Sequence, residues 1–569
     1  MKYVGCVMIG AVAILCSCRD ELRPDLSPAQ EGKTNIIVNL TVERSGSKSP
    51  ASRSPLDPNE DEYTLGFTDA ENQINSLTLI MMRIDASGNE VFEASKTIFS
   101  PADTGNDGDY DVEFQLETND RGVKHFYLGA NLNETHLASF RTQDKVFDAG
   151  EEKSGHNIVG ALMNVKHSKD DELDGNIGEG SNIVMTAPIL VENRQDITIP
   201  SGSTEETITI DNPVKLTRTV AKVLLTCVPK SDAETDYVKV NDAKDAETNP
   251  EGDGKNTGWI KFDDVNYMLN VLNRKTYLNY RIEDDNLIDP NYAMGELISL
   301  REEGGGYGIT DLEAYQREFL FYDTQAMVEM LNKDVPTYKG GERCIVRSAT
   351  QYDADKMKVD ETTNMGNENH YTEGLYCTEN TVHNDMTFYK DADFQSAIRY
   401  VTTRVMIGAK YTPKVIWDGG KEPITTQTED QAQGILDGKD VDNPLEPVTY
   451  PAGTFWRDSK GNYYSRAGME EKLKESPETE FSRYDGGWGY YYTYIDENAQ
   501  NGAIKDTQTR WGIKRNHYYI LKVDKIIAPG SPFPGNETMR IHSELVDWVD
   551  KGGSEVEIKV PQQSETAQP

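Results

Sequence analysis

Ile36-Ile37-Val38-Asn39-Leu40-Thr41-Val42 is the stretch on which the reading of this chain turns. Ile36, Val38, Leu40 and Val42 alternate with Asn39 and Thr41, the period-two pattern of a strand with one buried face. The chain then turns polar, through Ser45-Gly46-Ser47-Lys48-Ser49-Pro50-Ala51-Ser52-Arg53-Ser54-Pro55. Such a run has no apolar face to bury and is expected to be exposed and open to proteolysis. It is either a tether or a cut site that frees the strand, with Arg44 and Arg53 as candidate arginines. The pattern by itself favours the tether.

Upstream, Lys2 is the only charge ahead of an apolar run from Val4 to Leu15, which is too short to span a bilayer as a mature helix. The run ends in Leu15-Cys16-Ser17-Cys18, which resembles a bacterial lipobox, although Cys16 is unusual at its position. Arg19-Asp20-Glu21 follows, and acidic residues there resemble the surface-export signal of Bacteroidetes lipoproteins. Cys18 is therefore the expected lipidation site. Residues 1–18 read as a signal peptide and 19–53 as a propeptide carrying the strand.

The totals set bounds. A chain of 569 residues is too long for one ordinary domain. Its net charge of −38 argues against nucleic acid as a partner and for a solvated, self-repelling surface. Beyond the signal and the lipid cysteine, Cys227, Cys344 and Cys377 remain. They form no disulfide framework and no CxxC metal pattern, and whether two of them pair is open.

Downstream the text is mostly β. Ile74–Ile84, Val123–Asn131 and Asn182–Thr186 read as strands. Thr207–Ile210 and Val214–Val223 read as two more, separated by Asp211-Asn212-Pro213. That break divides an N-terminal domain, 54–213, from a C-terminal domain, 214–537, with a tail at 538–569. Leu312–Asn332 reads as one helix, with Thr310 and Glu313 as a capping box and Pro336 as its stop. Tyr490-Tyr491-Tyr492 and Tyr494 line a sandwich face or form a sugar-stacking platform. The latter would make the chain a glycan-binding surface lipoprotein. Near the end, Val556, Ile558 and Val560 alternate with Glu555, Glu557 and Lys559, repeating the pattern of Ile36–Val42. Taken alone, this is an ordinary last strand. No GxSxG, HExxH, phosphate loop or EF-hand register occurs, so no catalytic, cofactor or metal residue is assigned and an enzyme is not expected.

Several segments carry a resemblance. Phe126-Tyr127-Leu128-Gly129-Ala130-Asn131, Leu216-Thr217-Arg218-Thr219-Val220-Ala221-Lys222-Val223 and Tyr376-Cys377-Thr378-Glu379-Asn380-Thr381 are three of them. Thr402–Tyr411, with Arg404 replacing an aromatic, and Arg515-Asn516-His517-Tyr518-Tyr519 are the others. Together they resemble the type V pilus fimbrillins of Bacteroidales, in particular the minor, Mfa-type branch. The resemblance implies two transthyretin-like β-sandwich domains, the second with a few short helices. It implies a surface fimbria subunit that supports adhesion to host and bacterial receptors. Its precursor would be an outer-membrane lipoprotein, acylated at Cys18 and cut by an Arg-specific surface protease between Arg53 and Ser54. Loss of the strand carrying Ile36, Val38, Leu40 and Val42 would open a groove. A C-terminal strand carrying Val556, Ile558 and Val560 from a neighbouring copy would fill it. Partners would be other copies and accessory fimbrial subunits, with a tip or anchor subunit as the alternative role.

Overall fold

The structure, a computed structural model, describes the chain from Lys33 to Glu557 with breaks, the longest at 44–70, 143–158, 161–182, 188–196, 241–256, 290–296, 382–399, 439–449, 496–511 and 535–541. It is mostly β. The first half supplies β1 (Thr34–Glu43), β2 (Ser76–Ile84), β3 (Glu90–Phe99), β4 (Tyr110–Thr118), β5 (Val123–Ala130) and helix α1 (Glu134–Thr142). Then come β6 (Val159–Gly160), β7 (Met185–Thr186), β8 (Ile197–Thr198), β9 (Glu205–Lys215), β10 (Thr217–Arg218) and β11 (Val220–Cys227). The second half adds β12 (Val265–Asn270), α2 (Leu312–Glu318), α3 (Thr324–Leu331), β13 (Leu375–Thr378) and β14 (Arg404–Lys410). It ends with β15 (Trp488–Tyr494), β16 (His517–Val523), β17 (His542–Asp547) and β18 (Lys551–Glu557).

Two sheets enclose the first core. One has the order β4-β1-β9, the other β10-β7-β5-β2-β3 with β8 on β5. Residues alternate in and out along β4, from Tyr110 through Val112, Phe114 and Leu116 to Thr118, as expected for a strand buried on one side. Its inner residues meet those of β1 and Leu77, Leu79, Met81, Phe126 and Leu128 of the facing sheet. This is a sandwich in which each sheet covers the other's apolar face. The second core gathers around β11, β12, β14 and β15. There β11 pairs with β16 in parallel, and β17 and β18 extend the sheet outward.

The structure corrects three sequence expectations. Asp211-Asn212-Pro213 does not end a strand: β9 runs through it, and the irregularity is taken up as a register shift opposite Leu40 and Val42 of β1. The single helix at Leu312–Asn332 is two, because Phe319-Leu320 adopts extended backbone and pairs with Leu272-Asn273. Each half has its own aspartate cap: the Asp311 and Asp323 carboxylates accept from the Ala314 and Ala326 amides. Asp311, not Thr310, is therefore the N-cap.

The tyrosine run is structural at its first two positions. Tyr490 and Tyr491 are buried; Tyr490 donates to Asn332 Oδ1 at 2.7 Å and Tyr491 to the Ala528 carbonyl. Cys227 and Cys377 are free buried thiols, and burial pushes both well above the ordinary thiol range.

Candidate functional site: a strand in a slot

β1 lies between two partners, antiparallel to β4 and parallel to β9. Ile36, Val38 and Val42 are fully buried and Leu40 is 5% exposed. In register they stand opposite Leu116, Phe114, Val112 and Tyr110 of β4, with Val38 opposite Phe114 and Leu40 opposite Val112. On the β9 side, Val38, Leu40 and Val42 face Ile208, Ile210 and Val214. Burying four such side chains is worth about 6–12 kcal/mol before ordering costs. Outward-facing polar contacts are few and shallow. Lys33 Nζ meets Glu117 at 2.6 Å with both side chains exposed, and Thr41 donates to Asp111 at 2.7 Å. Exposed pairs of this kind contribute about 0–1 kcal/mol. The strand is held by apolar burial and two backbone ladders, neither of which depends on the identity of one particular side chain.

One end of the slot differs, and the alternation did not reveal it. Thr34 also faces inward, 1% exposed, opposite Thr118. The Thr118 hydroxyl donates to the Glu93 carboxylate on β3, and the fully buried Lys124 ammonium of β5 reaches the same carboxylate. A period-two count carried two residues upstream of Ile36 would have reached Thr34, but its hydroxyl hides it from an apolar pattern.

The other sequence-chosen positions are split by the structure. Val556 lies in β18 with its backbone opposite Ser543 of β17. Cys18, Arg53, Ser54, Ile558 and Val560 lie outside the described residues. Among the described residues no cluster of metal-binding side chains occurs.

The segments that carried the resemblance build something else: buried polar joints. Asn131, at φ 58°, accepts from the Asn75 amide at 2.8 Å and donates to the Gln73 and Ile183 carbonyls at 2.9 and 2.8 Å. It thus closes the end of β5 onto the entry to β2. The Lys222 ammonium meets the Glu71 carboxylate at 2.9 Å, both nearly fully buried, and lies 4.8 Å from the Tyr518 ring centre. Burial pushes the Lys222 ammonium below its ordinary range, while Glu71 opposes that shift. Arg218 donates to the Glu71 carbonyl at 3.2 Å and to Asn516 Oδ1 at 3.3 Å. Arg515 meets Glu379 at 2.8 Å, both fully buried, and donates to the Leu278 and Tyr277 carbonyls at 3.0 and 2.6 Å. Arg404, which departs from the resembled pattern, places its guanidinium 5.7 Å from the Tyr492 ring centre.

Residues 482–568 match the family described as "Major fimbrial subunit protein type IV, Fimbrillin, C-terminal". This segment is similar to the C-terminal part of fimbrillins. It contains β15 to β18 and with them Arg515 and Asn516. No curated protein matches the chain. Among solved structures the chain is similar to a fimbrilin (fimA) from Porphyromonas gingivalis W83, with 14% identity, 91% of this chain and 98% of that one covered, and a TM-score of 0.38. It is also similar to the tip fimbrial protein Mfa3 from Porphyromonas gingivalis, with 11% identity, 91% and 100% covered, and a TM-score of 0.30. Its similarity to the fimbrial anchor protein Mfa2 from the same organism is 8% identity, with 56% and 73% covered and a TM-score of 0.21.

Proposed function

We propose that the chain is a polymerising shaft subunit of a surface fimbria, built of two domains, 54–213 and 214–537, each a transthyretin-like sandwich. The precursor is lipidated at Cys18 and reaches the outer membrane. An Arg-specific protease then cuts between Arg53 and Ser54, and β1 leaves. A neighbour's C-terminal strand, with Val556, Ile558 and Val560 inward, takes its place. Other copies and accessory fimbrial subunits are the partners within the fibre, and host or bacterial surface receptors are the partners outside it. The role is structural and adhesive, not catalytic.

One observation carries this reading: β1 occupies a central position, paired on both sides, yet belongs to a segment joined to the body through the polar run Ser45–Pro55. Removing a central strand exposes a groove and two rows of backbone donors and acceptors, so a replacement strand is strongly favoured. The tail repeats the alternation of β1, which is what a replacement needs. An anchor would keep its lipid and lack a usable arginine, and a tip would lack a donor strand; this sequence offers both the arginine and the strand.

The test is polymerisation of purified precursor after cleavage with an Arg-specific protease, followed by size distribution and circular dichroism. Ile558→Asp should give a folded, normally cut monomer that forms no fibre. Long polymers from that variant would reject the tail as donor. Fibres whose first residue is Ser45 would move the cut to Arg44.

A further inference from the structure

If a strand is exchanged as proposed above, the slot itself fixes which residue of the incoming strand goes where. Four of the five inward positions of β1, Ile36, Val38, Leu40 and Val42, are apolar. The fifth, Thr34, lies opposite Thr118, whose hydroxyl is engaged by Glu93 beside the buried Lys124 ammonium. A hydrocarbon placed at that end would face a carboxylate and an ammonium, and a hydroxyl placed at the other four would be surrounded by hydrocarbon. The slot therefore selects a strand that begins with a hydroxyl and continues with alternating aliphatic residues.

We propose that residues 554–560 of a second copy enter in the direction of β1, with Ser554 in the place of Thr34. Val556, Ile558 and Val560 then take the places of Ile36, Val38 and Leu40, and the exchanged strand stops there, short of the place of Val42 beside Tyr110. Pro561 follows at the place of Thr41, beside the register shift of the β9 ladder between Leu40 and Val42, and proline within sheets is found at such irregularities. Outside the core, Lys559 comes opposite Glu113 and Glu555 opposite Glu117. One contact attracts and the other repels on a solvated face, so the buried hydroxyl decides the register.

The alternatives fail on the same residues. Entry in the reverse direction sets Val560 at the polar end and Ser554 in the place of Leu40. A slide of two residues sets Gly552 at the polar end and Ser554 in the place of Ile36, opposite Leu116. A slide of one turns Glu555 and Glu557 inward. The run at 539–549 fits no better: one face carries Asp547 between Leu545 and Val549, and the other carries Arg540, His542 and Glu544.

Paired cysteines read the register directly, because residues directly opposite on adjacent strands place their β-carbons about 5 Å apart. Thr118→Cys is combined in turn with Gly552→Cys, Ser554→Cys and Val556→Cys in the full-length precursor. Each protein is cut with an Arg-specific protease, assembled under reducing conditions, then oxidised and run on a non-reducing gel. Thr118→Cys with Ser554→Cys should give a covalent ladder at least about tenfold stronger than either other pair. Leu116→Cys with Val556→Cys, which leaves the polar end intact, should give a ladder too. A dominant ladder from Gly552→Cys or Val556→Cys with Thr118→Cys overturns this register but leaves strand exchange standing. Fibres that show no ladder from any pair, and that still form when the chain is truncated after residue 538, overturn strand exchange by the tail itself.

Discussion

The slot around β1 and the joint around Arg515 are both buried, but they are held by opposite means. β1 is fixed by aliphatic side chains and by backbone pairing to β4 and β9. Any strand with the right alternation and a hydroxyl at its first inward position could supply the same contacts. The joint is fixed by charges that recognise specific atoms: Arg515 on Glu379 and on the Tyr277 and Leu278 carbonyls, Lys222 on Glu71, Arg218 on Asn516. No other segment could supply those contacts. The difference teaches where the molecule tolerates replacement. A part meant to be exchanged is best held by interactions that ignore identity, whereas a part that must survive the exchange is best held by interactions that depend on it. Glu71 sits 18 residues beyond Arg53 and ties the chain just downstream of the proposed cut to β11.

The largest expected effect comes from breaking the joint. Arg515→Ala leaves the Glu379 carboxylate buried without its cation and strands the Tyr277 and Leu278 carbonyls. Removing one partner of a buried pair costs about 3–5 kcal/mol. The loss should appear in denaturant unfolding of both the precursor and the cut chain, since neither state can replace the contact. A loss below about 1 kcal/mol in either state would erase the contrast drawn between the two regions.

The slot should behave differently. Leu40→Ala removes a buried leucine side chain beside Val112 and Ile210 and should cost about 2–5 kcal/mol in the precursor. In fibres built from cut subunits the same substitution should have no effect, because the residue has left with the propeptide. Thermal melts of the precursor, set beside dissociation of fibres in detergent, make the comparison. A weakened Leu40→Ala fibre would mean that β1 is retained after assembly.

How far the sequence foretold this depends on which kind of contact was involved. Apolar alternation is visible in the text, so β1 and the inward-facing Ile36, Val38, Leu40 and Val42 were legible. The polar end of the slot was not, because Thr34 and Thr118 look like solvent-facing residues until Glu93 and Lys124 are seen beside them. The split between α2 and α3 was missed for a related reason: helical periodicity continued across Phe319-Leu320, while the Asp323 cap that restarts the helix is a local hydrogen bond. Quoting Arg218, Lys222, Glu379 and Arg515 as members of motifs was possible from the sequence. That they would be buried and that Lys222 would meet Glu71, 151 residues away, was not, since pairing of distant charges leaves no local signal.

The smallest expected effect tests the electrostatics of the joint through pH. Burial is the largest influence on Glu379 and outweighs Arg515, raising its carboxyl to about 7 from an ordinary 4.5. The folded state therefore holds the Glu379 proton more tightly than the unfolded chain does. By linkage, this group's contribution to stability is full below about pH 4.5, falls as pH rises, and levels off above about pH 7. The many other carboxylates of this acidic chain also titrate, so the quantity to measure is the difference between wild type and Glu379→Gln, whose amide stays neutral throughout. From pH 4.5 to 7 the wild type should lose on the order of 1–3 kcal/mol relative to the variant. The difference is to be read from urea unfolding at half-unit steps. If the wild type instead gains on the variant as pH rises, Arg515 outweighs burial and the carboxyl lies below its ordinary range, so the joint is a fully ionised pair across the whole interval.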